Sequence, residues 1–358
     1  MRAALSVAVA ACAVTAVLPG AAFAGPGGAA GLGGAGVERI SVAADGTQGD
    51  GSSSDPSITP DGRRVVFSSS ATNLTSDTAT GNATVFVRDQ RTNQNLRMGN
   101  LRPVQAPVIS GDGEYVAYPV QWVNDVRIRQ YQVRTGATAS LNCSAYTCNQ
   151  PSLSADGRYV AHVILAPRQP SFGQRIEVQN SNTGANQTVA VLTHTQPSRP
   201  SISGDGRYVA YQNGQTQDVF VWDRTTGTTT GPIEGPSKDA SLVQLSDDGT
   251  KAVYLSGNDT YVYDVSAGTA QLVPNVKGVA IDPTGRYLLH TPLDTTGPAL
   301  ALRDLRTATD ETVSQQPATA TTDAVSTAGR DVVFHSTADD IVPDDTNNTS
   351  DIFIRRFY

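Results

Sequence analysis

Residues 200–211, Pro200-Ser201-Ile202-Ser203-Gly204-Asp205-Gly206-Arg207-Tyr208-Val209-Ala210-Tyr211, are the clearest copy of a pattern that organises the chain. Close copies occupy 56–67, 107–118 and 151–162, and weaker ones 243–254, 279–290 and 323–334. Their turn glycines are Gly62, Gly113, Gly157, Gly206, Gly249, Gly285 and Gly329, 36 to 51 residues apart. That is the length of chain one four-stranded propeller blade uses. Three residues before each glycine stands Thr, Ser or Asp, a short side chain that accepts backbone amides and fixes a turn. Glycine then supplies the positive φ of a hairpin at little cost. Past the turn come two adjacent apolar residues, so both faces of that strand are buried, as between stacked blades. The next position is aromatic or His: Phe67, Tyr118, His162, Tyr211, Tyr254, His290 and Phe334.

A third strand follows each hairpin, clearest in Val85-Phe86-Val87-Arg88-Asp89 and Val219-Phe220-Val221-Trp222-Asp223, and a shorter fourth closes the blade. The seventh copy reaches Tyr358 after three strands, whereas Val37-Glu38-Arg39-Ile40-Ser41-Val42 is a strand with no blade of its own. The fold expected is therefore all-β: a propeller of about seven four-stranded blades, six being the alternative count, closed by the N-terminal strand.

The Pro-Ser-Ile-Ser-x-Asp-Gly-Arg-Tyr-Val-Ala-Tyr signature, with Asp-Val-Phe-Val-x-Asp further on, resembles the WD-repeat-like propeller repeats of the TolB family, of the kind found in secreted actinobacterial proteins. The resemblance covers residues 37–358 and implies a binding platform without cofactor. TolB has six blades and a preceding α/β domain, and this chain shows neither, so a role in the Tol system does not carry over.

The chain has 358 residues, 39% of them hydrophobic, and a net charge of -7. Such an acidic balance excludes general binding of nucleic acid, which needs clustered basic charge. Residues 1–24 read as an export signal: Arg2, an apolar run to Leu18, and Ala22-Phe23-Ala24 before Gly25. A competing reading is lipid anchoring at Cys12, after Val9-Ala10-Ala11. Residues 25–36 form a Gly/Ala-rich leader, and no later run is long enough for a transmembrane anchor. The mature chain is thus expected outside the cytoplasm as a monomer. There Cys143 and Cys148 are expected to be oxidised to a disulfide.

No sequence motif of nucleophilic, zinc or phosphate-loop chemistry is present. His162 and His290 occupy the aromatic slot and read as packed, His335 follows that slot, and His194 has no partner in sequence. Asp61, Asp112, Asp156, Asp205 and Asp248 adjoin turn glycines and read as turn builders. Asp345, Asn347 and Asp351 offer alternating oxygens of the kind Ca²⁺ takes, the one ion the sequence suggests. Trp122 is expected in a loop, where it would mark a contact face. The reading these features favour is a non-catalytic platform for an extracellular or envelope protein, peptide or glycan. The alternative is a hydrolytic or lactonase-like enzyme, because Ile281-Asp282-Pro283-Thr284-Gly285-Arg286 resembles a repeat of propeller lactonases. A central cluster of carboxylates with a basic partner would mark the enzyme; a channel of Ser, Thr and amides would mark the platform.

Overall fold

A computed structural model describes residues 36–77, 81–143, 147–165, 174–192, 198–213, 217–294 and 296–357. Residues 1–24, expected to be an export signal and including Cys12, lie outside them, as does His194. Each repeat makes the expected hairpin. Ser203 Oγ donates to Asp205 Oδ1 at 2.6 Å and accepts the Tyr208 amide at 2.9 Å, and Asp205 Oδ1 accepts the Arg207 amide at 2.8 Å. The Thr or Ser to Asp bond recurs at Thr59–Asp61, Ser110–Asp112, Ser154–Asp156 and Ser246–Asp248. In the sixth repeat Asp282 does both jobs, accepting the Arg286 and Tyr287 amides at 2.7 Å. The repeated aspartates are turn builders.

The hairpins extend into seven antiparallel blades. Blades 1 to 6 span 53–97, 108–140, 147–192, 198–233, 241–273 and 276–314, each with four strands in sequence order. Blade 7 is assembled from both ends of the described chain. Asp331–Ser336 pairs with Asp351–Arg356, which pairs in turn with Gly36–Arg39. The innermost position is held by Ala324 and Val325, through Val333 N to Ala324 O at 2.9 Å and a Val325–Val332 bridge. The closing strand was expected at 37–42. Its regular ladder stops at Arg39, Ile40 N still reaches Ile352 O at 2.7 Å, and Ser41 then turns inward to bond Asp351.

Apolar side chains fill the spaces between blades. The aromatic of the second strand stacks on one from the third at Phe67–Phe86, Tyr118–Tyr131, Tyr211–Phe220, Tyr254–Tyr261 and Phe334–Phe353, with ring centroids 5.2–6.0 Å apart. His162 and His290 fill that slot in blades 3 and 6, fully buried, and burial lowers the pKa of both, His162 to about 4. Cys143 and Cys148 form a buried disulfide between the end of blade 2 and the innermost strand of blade 3. Among the described residues no helix is long and apolar enough to cross a membrane.

The turn glycines also fix how blades meet. All seven have φ between 64° and 74°. The side chain two residues past each glycine sits where the next blade's glycine would carry a Cβ: Arg64 on Gly113, Tyr115 on Gly157, Tyr159 on Gly206, Tyr208 on Gly249, Lys251 on Gly285, Tyr287 on Gly329, and Asp331 on Gly62.

Gly206→Ala would set its methyl 2.5 Å from the Tyr159 ring, whereas Gly227 has φ +71° and open space around it. Gly227→Ala is expected to cost about 1–2 kcal/mol for its backbone alone, and Gly206→Ala clearly more; urea unfolding of the two compares them. In the closing strand, Ile40→Ala should cost about 2–5 kcal/mol. A chain beginning at Ala43 should melt lower and self-associate in light scattering, because the Asp351–Arg356 strand becomes an open edge.

Candidate active site

The innermost strands line a central channel, and their first residues shape its mouth. In blades 1, 3 and 4 the ladder shifts register at Ser54/Ser57, Asn149/Ser152 and Ser198/Ser201. The residues between include Pro56, Pro151 and Pro200, which have no N–H to give a ladder. Those bulges, with the segment 321–323 of blade 7, enclose a cavity of about 320 Å³ lined by Asp55, Gln105, Gln150, Arg199, Thr321 and Asp323. Asp55, Gln150 and Asp323 have φ of 55°, 53° and 59°, the left-handed region that Asp tolerates better than most residues. Below the cavity the channel narrows to a throat of about 30 Å³ lined by Gln244, Asp247 and Asp323, room for a water.

The carboxyls here are perturbed. Burial pushes Asp323 up to about 6. Asp247 rises to about 7, first from burial and then from the neighbouring charges of Asp323, Asp248 and Asp282. Gln244 Nε2 donates to Asp323 Oδ1 at 2.6 Å. Arg199 is exposed in the cavity wall, and among the described residues no carboxylate pairs with it. His335 lies near enough to Asp55 to feel its charge, although burial still lowers the imidazole's pKa. The mouth therefore holds two carboxylates, Asp55 and Asp323, and one arginine, Arg199. Asp55, Arg199, Gln244, Asp247 and Asp323 were not singled out from the sequence. The available signal was departure from the repeat: Asp323 stands in a slot that is Pro in four copies, and Gln244 in one that is otherwise Ser, Val or Ala.

The residues that were singled out lie elsewhere. Asp345, Asn347 and Asp351 do come together, at the ring closure. Gln48 Nε2 donates to Asp345 and Asp351 at 2.8 Å, Asn347 Nδ2 donates to Asp351 at 3.2 Å, and Arg39 lies 3.5 and 3.7 Å from the two carboxylates. Protein donors thus face the oxygens a calcium ion would use. Trp122 ends a strand, Tyr115–Trp122, rather than lying in a loop, because that strand runs to the hairpin tip opposite Asp125; it is 50% exposed.

No family model matches the chain, and no curated protein does. Solved structures share the fold. An oligogalacturonate lyase in complex with manganese aligns with TM-score 0.66 at 12% identity, over 91% of this chain and 94% of that one. The oligogalacturonate lyase of Vibrio parahaemolyticus gives TM-score 0.66 at 13% identity, over 89% and 93%. TolB of Acinetobacter baumannii gives 0.49 at 14% identity, over 73% and 62%. At these identities the likeness is one of fold.

It nevertheless corrects the expectation of a non-catalytic platform. That expectation treated a bare ring as a binding module, yet a ring of this size makes up nearly the whole of an enzyme. The channel mouth, moreover, sets the carboxylates of Asp55 and Asp323 in one cavity wall with the guanidinium of Arg199. Manganese does not fit the donors present: among the described residues no three His, Cys, Asp or Glu side chains converge to hold an ion.

Asp247 makes the channel's electrostatics measurable. A carboxyl raised from 3.8 to about 7 favours the folded state fully below its unfolded pKa, and that contribution is lost as pH rises through about 7. Asp247→Asn should therefore melt like wild type near pH ~3.5 and higher than wild type at pH ~8, by calorimetry at both.

Proposed function

We propose that the protein is an exported propeller enzyme that cleaves a short acidic saccharide at the channel mouth by acid–base chemistry. The observation that carries this is Asp323, a carboxyl with its pKa near 6 lining the same small cavity as Arg199, which pairs with no carboxylate among the described residues. A catalytic base works best with a pKa close to the operating pH. Arg199 offers a planar fork to a carboxylate, the group that sets an acidic sugar apart from a neutral one. The nine-tenths coverage of oligogalacturonate lyase supports the choice of substrate class. The Cys143–Cys148 bridge supports an oxidising compartment, and the repeat signature keeps the TolB-type propellers as the repeat family of this reading.

In an elimination, Asp323 takes the proton from the carbon next to the sugar's carboxylate, and Arg199 balances the charge that builds there. The carbon–oxygen bond to the neighbouring sugar breaks, and the departing oxygen takes a proton from water. The product carries a carbon–carbon double bond conjugated to the carboxylate.

Incubation with short oligogalacturonates is expected to give an ultraviolet-absorbing product. Reducing ends without that absorbance would turn the reading to hydrolysis, and no cleavage of any uronate-bearing sugar would sink it. Asp323→Asn should lower kcat by about 10²-fold or more, and Arg199→Ala should act mainly on KM. The wild-type kcat/KM should fall on the acid side of about pH 6, where Asp323 holds its proton.

A further inference from the structure

The seven repeats are an internal comparison, and two of their departures touch. Five residues before each turn glycine stand Ser57, Val108, Ser152, Ser201, Gln244, Ala280 and Ala324. This position faces the next blade: Ser152 Oγ accepts the Ile202 amide at 3.1 Å, and Ser201 Oγ the Leu245 amide at 3.0 Å. Gln244 does the same for blade 6, where Oε1 accepts the Ile281 amide at 3.1 Å. It then reaches past the small Ala280 to blade 7, where the same oxygen accepts the Asp323 amide at 3.3 Å and Nε2 donates to Asp323 Oδ1 at 2.6 Å. Asp323, six residues before its glycine, replaces the Pro of blades 1 to 4 and the Val of blades 5 and 6.

The amide of Gln244 has one orientation. Its oxygen takes two backbone N–H groups, and a flipped amide would aim its own donors at them. Its NH₂ group is therefore held against Asp323, and the residue is only 3% exposed. We infer that Gln244 is a positioning residue that holds Asp323 by Oδ1 and leaves Oδ2 as the oxygen presented to a ligand. This rests on the reading of Asp323 as the base at the channel mouth. Ring-knitting alone would be met by a serine, as in blades 3 and 4; the longer side chain adds the carboxylate contact.

Other charged groups around Asp323 are Asp247 in the throat and Asp55 and Arg199 in the mouth; His335 feels the charge of Asp55, and Asp247 that of Asp248 and Asp282. The test is a carbon-13 NMR titration of the aspartate carboxyls, with Asp323→Asn assigning the signal. Gln244→Met, which removes the donor, and Gln244→Glu, which puts a second carboxyl against Oδ1, should both move the Asp323 midpoint upward. The Glu variant should move it further, by about one pH unit or more. Where turnover is present, the acid limb of kcat should follow with KM little changed. An Asp323 midpoint that both folded variants leave in place overturns the inference. A shifted midpoint in a protein that cleaves no acidic sugar leaves it standing and defeats the proposed activity instead.

Discussion

The ring depends on a missing methyl group. At each of seven turns a glycine in left-handed conformation leaves a space, and the preceding blade fills it with the side chain two residues past its own glycine. One residue type thus serves two needs. Positive φ lets the hairpin turn tightly, and the absence of Cβ lets the neighbouring blade approach. Because the relation runs from Arg64 on Gly113 round to Asp331 on Gly62, it returns to its start, and the blade count is part of the contact. Where the occupant is Tyr, Arg207 and Arg286 lie over the adjacent rings with Cζ 4.7 and 4.9 Å from the centroids, so cation–π contact thickens the joint.

This is why the fold was legible. Every blade repeats the same solution, so seven imperfect copies correct one another, and the orphan strand near residue 37 identifies itself by having no hairpin to join. The candidate site had no such redundancy. It is built from single departures, Asp55, Arg199, Gln244 and Asp323, scattered over blades 1, 4, 5 and 7, and only the ring brings them together. No local spacing announces such a set. The acidic loop near residue 345 looked more like a site because its oxygens are adjacent in sequence. In three dimensions Gln48 and Arg39 meet those oxygens, and the loop fastens the closure.

The channel shows how a propeller separates its two tasks. Second and third strands carry the apolar residues that press blades together, and the adjacent pair on the second strand is apolar in all seven copies. Innermost strands contribute few such residues, and their bulged starts at Asp55, Gln150 and Arg199 leave the ladder altogether. Side chains there change without disturbing a blade interface. Asp323 exploits that freedom: its carboxyl replaces a proline at no cost to the stacking of Phe334 on Phe353.

Pairing of the closing strand has a kinetic meaning. Glu38 meets Arg356 across 318 residues of chain, so the contact that completes the ring has nearly the largest loop entropy the molecule offers. Contacts of such sequence separation form slowly. Blades 1 to 6 use neighbouring hairpins and can form as their residues become available, but blade 7 waits for both ends. Until then the seventh blade has a bare edge and the first residues have no partner. A chain with this topology stays open until its last strand is in place, and in that open state its unpaired edge is exposed to a protease.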